Sequence, residues 1–298
     1  MDEGILSIAK TLGAALLLWV AVAYVLLPVA VKFTGSMRAA ENYEVIGRHQ
    51  LPPDVVAYMD QKVWDLQSMG FVPAALVRDT GAMSNVTLYL VLFTNPATAD
   101  TAAATFTIGA RVVTLRTATV GFDTTYPNGF AVETGNFADA GVYPPDPNRN
   151  RMHVPGLQSL PVLYELHRRR CLRHGPAGAS GVLPAPGHEL ETVMAEGARE
   201  KERVRTAGYY SLDATAGKYR PTWKGAYVMT WKLSFPFGYL RRRAKRARAR
   251  REMRDVGLDP NLMDAAILPA VPLMPVPEAA PTMVAPPTPP PVPQRPIT

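Results

Sequence analysis

From Thr11 to Val31 the chain reads TLGAALLLWVAVAYVLLPVAV, 21 positions without a charge, bounded by Lys10 and Lys32. A run that is apolar on every side leaves no face for water, and at about 1.5 Å per residue its helix covers the roughly 30 Å of bilayer hydrocarbon. It predicts an uncleaved transmembrane anchor. A signal peptide needs a cationic start and a shorter apolar run, whereas this chain opens MDEG and its PVA at 28–30 is a poor cleavage match.

Beyond the anchor the apolar positions become periodic. In LPPDVVAYMDQKVWDLQSMGF, Val56, Met59, Val63 and Leu66 fall on one helical face, Pro53 suits the first turn and Gly70 ends the helix. Stretches rich in Val, Thr, Leu and aromatics follow at 71–77, 83–95, 105–126 and 129–134, which predict strands. Asn128-Gly129 between the last two offers the positive φ of a tight hairpin. The second stretch is apolar without alternation, which places it centrally in a sheet. Residues 142–156, rich in Pro, Asp and Asn, read as a loop leaving that sheet. Ser159 then opens a helix, LPVLYELHRRRCLRH, closed by Gly175; a charged helix follows at 188–205, and GYYSLDATAGKYRPTW reads as a small hairpin returning toward the membrane.

The pattern gives an α+β fold in four parts: an N-terminal transmembrane helix (1–35), an α+β domain (36–221), an aromatic and basic interfacial helix (222–256) and a disordered Pro-rich tail (257–298). The domain is expected to hold an antiparallel meander of about four or five strands with flanking helices.

The third part carries Trp223, Tyr227, Trp231, Phe235 and Tyr239, an aromatic at every fourth position, with Pro236 breaking or kinking the run. It is too short to span a bilayer and is suited to lie in one, because Trp and Tyr combine an apolar body with a polar tip. Directly after it come Arg241, Arg242, Arg243, Lys245, Arg246, Arg248, Arg250 and Arg251. From Arg241 to Arg254 nine cations face one Glu, so this segment alone accounts for the net charge of +7. The basicity is local and calls for a local anionic partner; the headgroups of an anionic leaflet fit. Nucleic acid fits less well, since its readers interleave aromatics with cations on one face, whereas here the two are segregated along the chain. In the plainest alternative the stripe packs on the domain and the arginines are solvated.

Lys32, Arg38 and Arg48 follow the anchor while only Lys10 precedes it, and the basic segment resists translocation. Together they predict a single-pass inner-membrane protein whose main domain is cytoplasmic; richness in Ala, Arg and Pro suggests a high-GC bacterial source. One cysteine, Cys171, excludes an internal disulfide.

Candidate chemistry is sparse. His167, Cys171 and His174 are spaced i, i+4, i+7 and share a helix face, a possible metal-ligand set that His153 or His188 could complete. Arg168, Arg169, Arg170 and Arg173 oppose a divalent cation there, and the same field would lower the thiol pKa. The competing reading is an ordinary amphipathic basic helix. Phosphate-cradling, dinucleotide, nucleophile-elbow and zinc-protease motifs are all missing from the sequence. The expected role is binding, scaffolding or sensing at the membrane without a cofactor. The alternatives are a membrane-tethered enzyme or metal-dependent protein built on His167, Cys171 and His174, and an Arg-rich nucleic-acid tether. The tail from Pro269 on is 12 prolines in 30 residues, too poor in backbone donors to build a core. It is a spacer or a ligand for a protein partner with an aromatic-lined groove.

Overall fold

The computed structural model describes residues 3–40, 42–79, 86–110, 114–138 and 141–263. The apolar run forms one continuous helix: α1 (Glu3–Ala21), a π-helical turn (Val22–Leu26) and α2 (Leu27–Thr34). Lys10–Thr34 is long and apolar enough to cross a membrane. Most of its large side chains, Leu12, Leu17, Leu18 and Val20 among them, are exposed.

After β1 (Met37–Arg38), β2 (Tyr43–Val45) and α3 (Pro53–Gln67) come β3 (Val72–Asp79), β4 (Val86–Asn95), β5 (Asp100–Ala110), β6 (Thr114–Thr125), β7 (Ala131–Gly135) and β8 (Arg149–His153). Strands β2 to β8 lie in sequence order in one seven-stranded sheet, antiparallel at every pairing but the last. The sheet is thus larger than the predicted meander, for three reasons, the first being β2, which pairs with β3 from a stretch where no strand was predicted. The segment 105–126 is not one strand but the end of β5 and all of β6, and the segment predicted to leave the sheet at 142–156 contains β8, which pairs parallel with β7. The predicted hairpin at Asn128-Gly129 is present: Gly129 has φ +79°, a conformation that costs glycine nothing, and β6 and β7 pair across it.

Both faces of the sheet are covered. On one, Tyr89, Val91, Phe93, Ala104, Val120 and Phe122 pack against α3 and α4 (Leu160–His174). On the other, Val77, Leu90 and Leu92 meet Leu190 and Val193 of α5 (Glu189–Thr206). This is why β4 is apolar without alternation: adjacent residues point into different, equally dry layers. The buried face of α3 runs Val55, Met59, Leu66, with Val63 packed beside it, one position off the predicted Val56.

Strands β9 (Tyr210–Asp213) and β10 (Lys218–Pro221) form the predicted hairpin, joined by β1 in a three-stranded sheet of order β1-β10-β9. The aromatic and basic segment is not a single helix. Pro236 lacks the amide donor a continuous helix needs, and the segment divides into α6 (Trp223–Leu233) and α7 (Phe237–Asp255). Thr222 caps α6 by accepting from the Gly225 amide at 3.0 Å. The far half of α7 belongs to the domain: Ala249 and Met253, with Met263 beyond them, are buried in the same core as Leu163 and Phe122. Burying a side chain such as Met253 contributes about 2 kcal/mol, so the domain core extends past 221 to Met263. The disordered tail predicted from 257 therefore begins too early: 257–263 are folded, with a 3₁₀ turn at Pro260–Met263 whose Met263 is buried, and the rest of the Pro-rich tail lies outside the described residues.

Candidate functional site

Two constellations combine polar or aromatic groups in ways that need explaining. The first is buried between α4 and the sheet. Asp100 opens β5, Thr124 closes β6 beside it, and Thr134 lies on β7. Across them runs α4, whose inward face repeats every three or four residues as Leu163, Leu166, His167, Arg170 and Cys171. Asp100 is fully buried and accepts from the Thr124 hydroxyl (2.5 Å), the Tyr164 hydroxyl (2.8 Å) and Arg168 Nη1 (2.9 and 3.0 Å).

With its own proton directed at Asp100, Thr124 Oγ1 accepts from His167 Nε2 at 2.9 Å. His167 Nδ1 is then an acceptor for the Thr134 hydroxyl at 3.1 Å, and Thr134 Oγ1 in turn accepts from Arg170 Nη1 at 2.6 Å. Arg170 also donates to Glu133 O, Asn150 O and Asn150 Oδ1. One consistent set of donors and acceptors thus links Asp100 to Asn150 through a neutral imidazole. Burial, reinforced by Arg170 and Arg168 against the opposing pull of Asp100, pushes His167 down to about 3.

The predicted metal set is not brought together. His167 and Cys171 approach to 3.6 Å, but His174 lies a turn farther on and turns to Glu252 of α7. His153 is held by Glu133 at 3.1 Å, and His188 is exposed and paired with Glu191. Asp100, which the sequence did not single out, takes the third place beside His167 and Cys171. An ion held by these three would need the space at their centre. Thr124 Oγ1 is there instead, 2.5 Å from Asp100, 2.9 Å from His167 and 3.2 Å from Cys171. The arrangement is not a nucleophile relay either, since Asp100 and Cys171 approach the same imidazole nitrogen and a relay needs both. The arginines do not activate the thiol as predicted: burial raises Cys171, outweighing the hydroxyl of Thr124 and the charge of Arg168. Nearby depressions offer no enclosed substrate site. One of about 350 Å³ is an open surface around Leu172 and Asp255, and one of about 30 Å³ beside Arg170 and Glu252 holds a single water's volume.

The second constellation surrounds the membrane-type helix. α6 runs antiparallel to it: the Trp223 ring lies 5.9 Å from Phe33, the Phe235 ring lies 6.1 Å from Trp19, and Tyr24 donates to Phe235 O at 3.0 Å. On its other side α6 lies close against the chain at Tyr209, which Gly225 allows, because any Cβ there would sit 2.0 Å from Tyr209 O. Both lysines of α6 are tied to the domain: Lys224, exposed, donates to Ala207 O, Lys232, half-buried, donates to Val142 O, and both lie over the Tyr209 ring. Trp223, Tyr227, Trp231, Phe235 and Tyr239 are all exposed, and Lys224 is exposed at the Trp223 end.

The cations of α7 divide by face. Arg241 donates to Gly141 O, Lys245 packs beside that glycine and Arg250 is half-buried, while Arg242, Arg243, Arg246, Arg248 and Arg251 are on the exposed side. Glu252 and Asp255 fasten the helix to α4 through His174, Arg170 and Arg173. Compared with known proteins, the chain matches no family model, no curated protein and no solved structure, and its function is therefore argued from this geometry.

Proposed function

We propose that this is a bacterial inner-membrane protein that holds a cytoplasmic α+β domain against the bilayer for a binding, scaffolding or sensing task, without catalysis. The observation that carries the reading is the continuity of the aromatic face of α6 with the exposed apolar helix beside it, followed at once by the exposed arginines of α7. Aromatic side chains favour the headgroup boundary, and each cation near an anionic surface adds up to about 1 kcal/mol before screening. The buried cluster around Asp100 fits a structural role, since Asp100, Thr124, Thr134 and His167 bond to one another and Thr124 Oγ1 fills the space between Asp100, His167 and Cys171. The Pro-rich tail is proposed as a spacer or partner-binding arm.

The test uses the full chain in vesicles of phosphatidylcholine with and without phosphatidylglycerol. Limited trypsin should spare Arg242 and Arg243 in the anionic vesicles and cut there in the neutral ones. Equal cutting in both defeats the headgroup assignment, and release of the chain from native membranes by alkaline carbonate defeats the anchor.

A further inference from the structure

We infer that the turn joining α6 to α7, residues 233–240, is a membrane-penetrating tip that inserts into the domain-side leaflet next to the anchor and fixes where the bilayer begins. This rests on the membrane reading above and adds to it a depth, an orientation and a lipid contact. LSFPFGYL places five large apolar side chains, Leu233, Phe235, Phe237, Tyr239 and Leu240, in an exposed position within eight residues. Such a cluster on an otherwise well-covered domain marks an interaction surface. Its occupant is indicated by two neighbours. The Phe235 ring lies against Trp19 and the Phe235 carbonyl accepts from Tyr24, so the patch is continuous with the helix suited to hydrocarbon. Arg242 and Arg243, both exposed, follow Leu240 within one turn, so a cationic collar lies where phosphates would be.

The geometry differs from the flat, in-plane helix predicted from the aromatic spacing. Because α6 runs alongside the anchor, the twelve steps of chain from Trp223 to Phe235 cover about 18 Å mainly along the anchor's axis. The tip is therefore deep and Trp223 is shallow. The collar and Lys232, whose ammonium is held by Val142 O and Tyr209, cannot enter hydrocarbon cheaply, which sets the boundary close to the tip. On the anchor that level is Trp19 to Tyr24. The segment crossing the hydrocarbon is then Ile5–Tyr24, about 30 Å of helix that leaves Glu3 outside, with Lys10 reaching back toward the far headgroups. The remaining stretch, 25–34, stands above the hydrocarbon with α6 along one side. Sequence alone centred the span on 11–31.

Single-tryptophan forms of the full chain test this in phosphatidylcholine and phosphatidylglycerol vesicles carrying bromines either near the carbonyl or near the methyl end of the acyl chains. Of Trp19, Trp64, Trp223 and Trp231, one form keeps Trp19 alone, one keeps Trp223 alone, and one has all four replaced by Phe together with Phe235→Trp. Trp19 and the indole of Phe235→Trp should both be quenched more by the shallow bromines, and Trp223 scarcely at all, being about 18 Å farther out. A fourth form with Tyr239→Trp in place of Phe235→Trp should match the tip result and guards against a local distortion. Stronger quenching of Trp19 by the deep bromines overturns the boundary, and equal quenching of Trp223 and Phe235→Trp overturns the upright tip. No quenching at any position overturns the membrane reading itself, a distinct result.

Discussion

Replacing His167 by Gln should remove a defined part of the protein's pH dependence. An imidazole in the unfolded chain titrates near 6.5, whereas burial between α4 and the sheet, with Arg170 and Arg168 close by, holds it down to about 3 in the native state. Between those values the native state binds fewer protons than the unfolded one, so this group's contribution is complete above about pH 6.5 and is lost as the pH falls toward 3. The slope is about 1.4 kcal/mol per pH unit, which gives a loss of roughly 2 kcal/mol between pH 7.5 and pH 5. Other groups titrate in the same window; Asp123, raised by burial to about 7 despite Arg149, pushes the opposite way. Taking the difference between wild type and His167→Gln cancels such groups, and the Gln amide can still face both threonines. Urea unfolding of the full chain in detergent, followed by near-UV circular dichroism at both pH values, supplies the numbers. If both proteins lose equal stability between pH 7.5 and pH 5, the imidazole is not neutral and enclosed as described.

Arg170→Met should cost about 3–5 kcal/mol in the same assay, because it strands Asn150 Oδ1 and breaks the buried pairing toward Glu252. Thr124→Ala should cost about 2 kcal/mol, since it removes the hydroxyl shared by Asp100, His167 and Cys171. Added zinc should leave the melting temperature of the wild type unchanged; a rise that Cys171→Ser abolishes would reveal a metal site. Native Cys171 should resist an impermeant maleimide from either side of the membrane, being buried with its thiol raised, while Leu172→Cys should react readily from the side the domain occupies.

Most elements were legible because their signals are local. The anchor, α3, α4, α5, the Asn128-Gly129 turn and the break at Pro236 each follow from periodicity or backbone chemistry within a few residues. What escaped depends on distant partners. β8 is short, polar and flanked by turn formers, and becomes a strand because β7 offers an open edge. The count of cations in α7 was plain, but not which of them face the domain, because Gly238, Ala249 and Met253 read as minor interruptions in a basic run. The cluster was half visible: Leu163, Leu166, His167, Arg170 and Cys171 share the inward face of α4, which marks Arg170 as a buried cation. Asp100, Thr124 and Thr134 come from three strands, and no spacing in the sequence links them.

The pairing of Met37 with Tyr219 stitches the residue just past the anchor to the one just before α6. A domain on a slack leash would swing freely and feel nothing of the lipid around its tether. Under the membrane placement proposed above, a domain stitched this way would lean with the helix that precedes it, and a tilt of that helix would be handed to the three-stranded sheet, as a keel tips its hull.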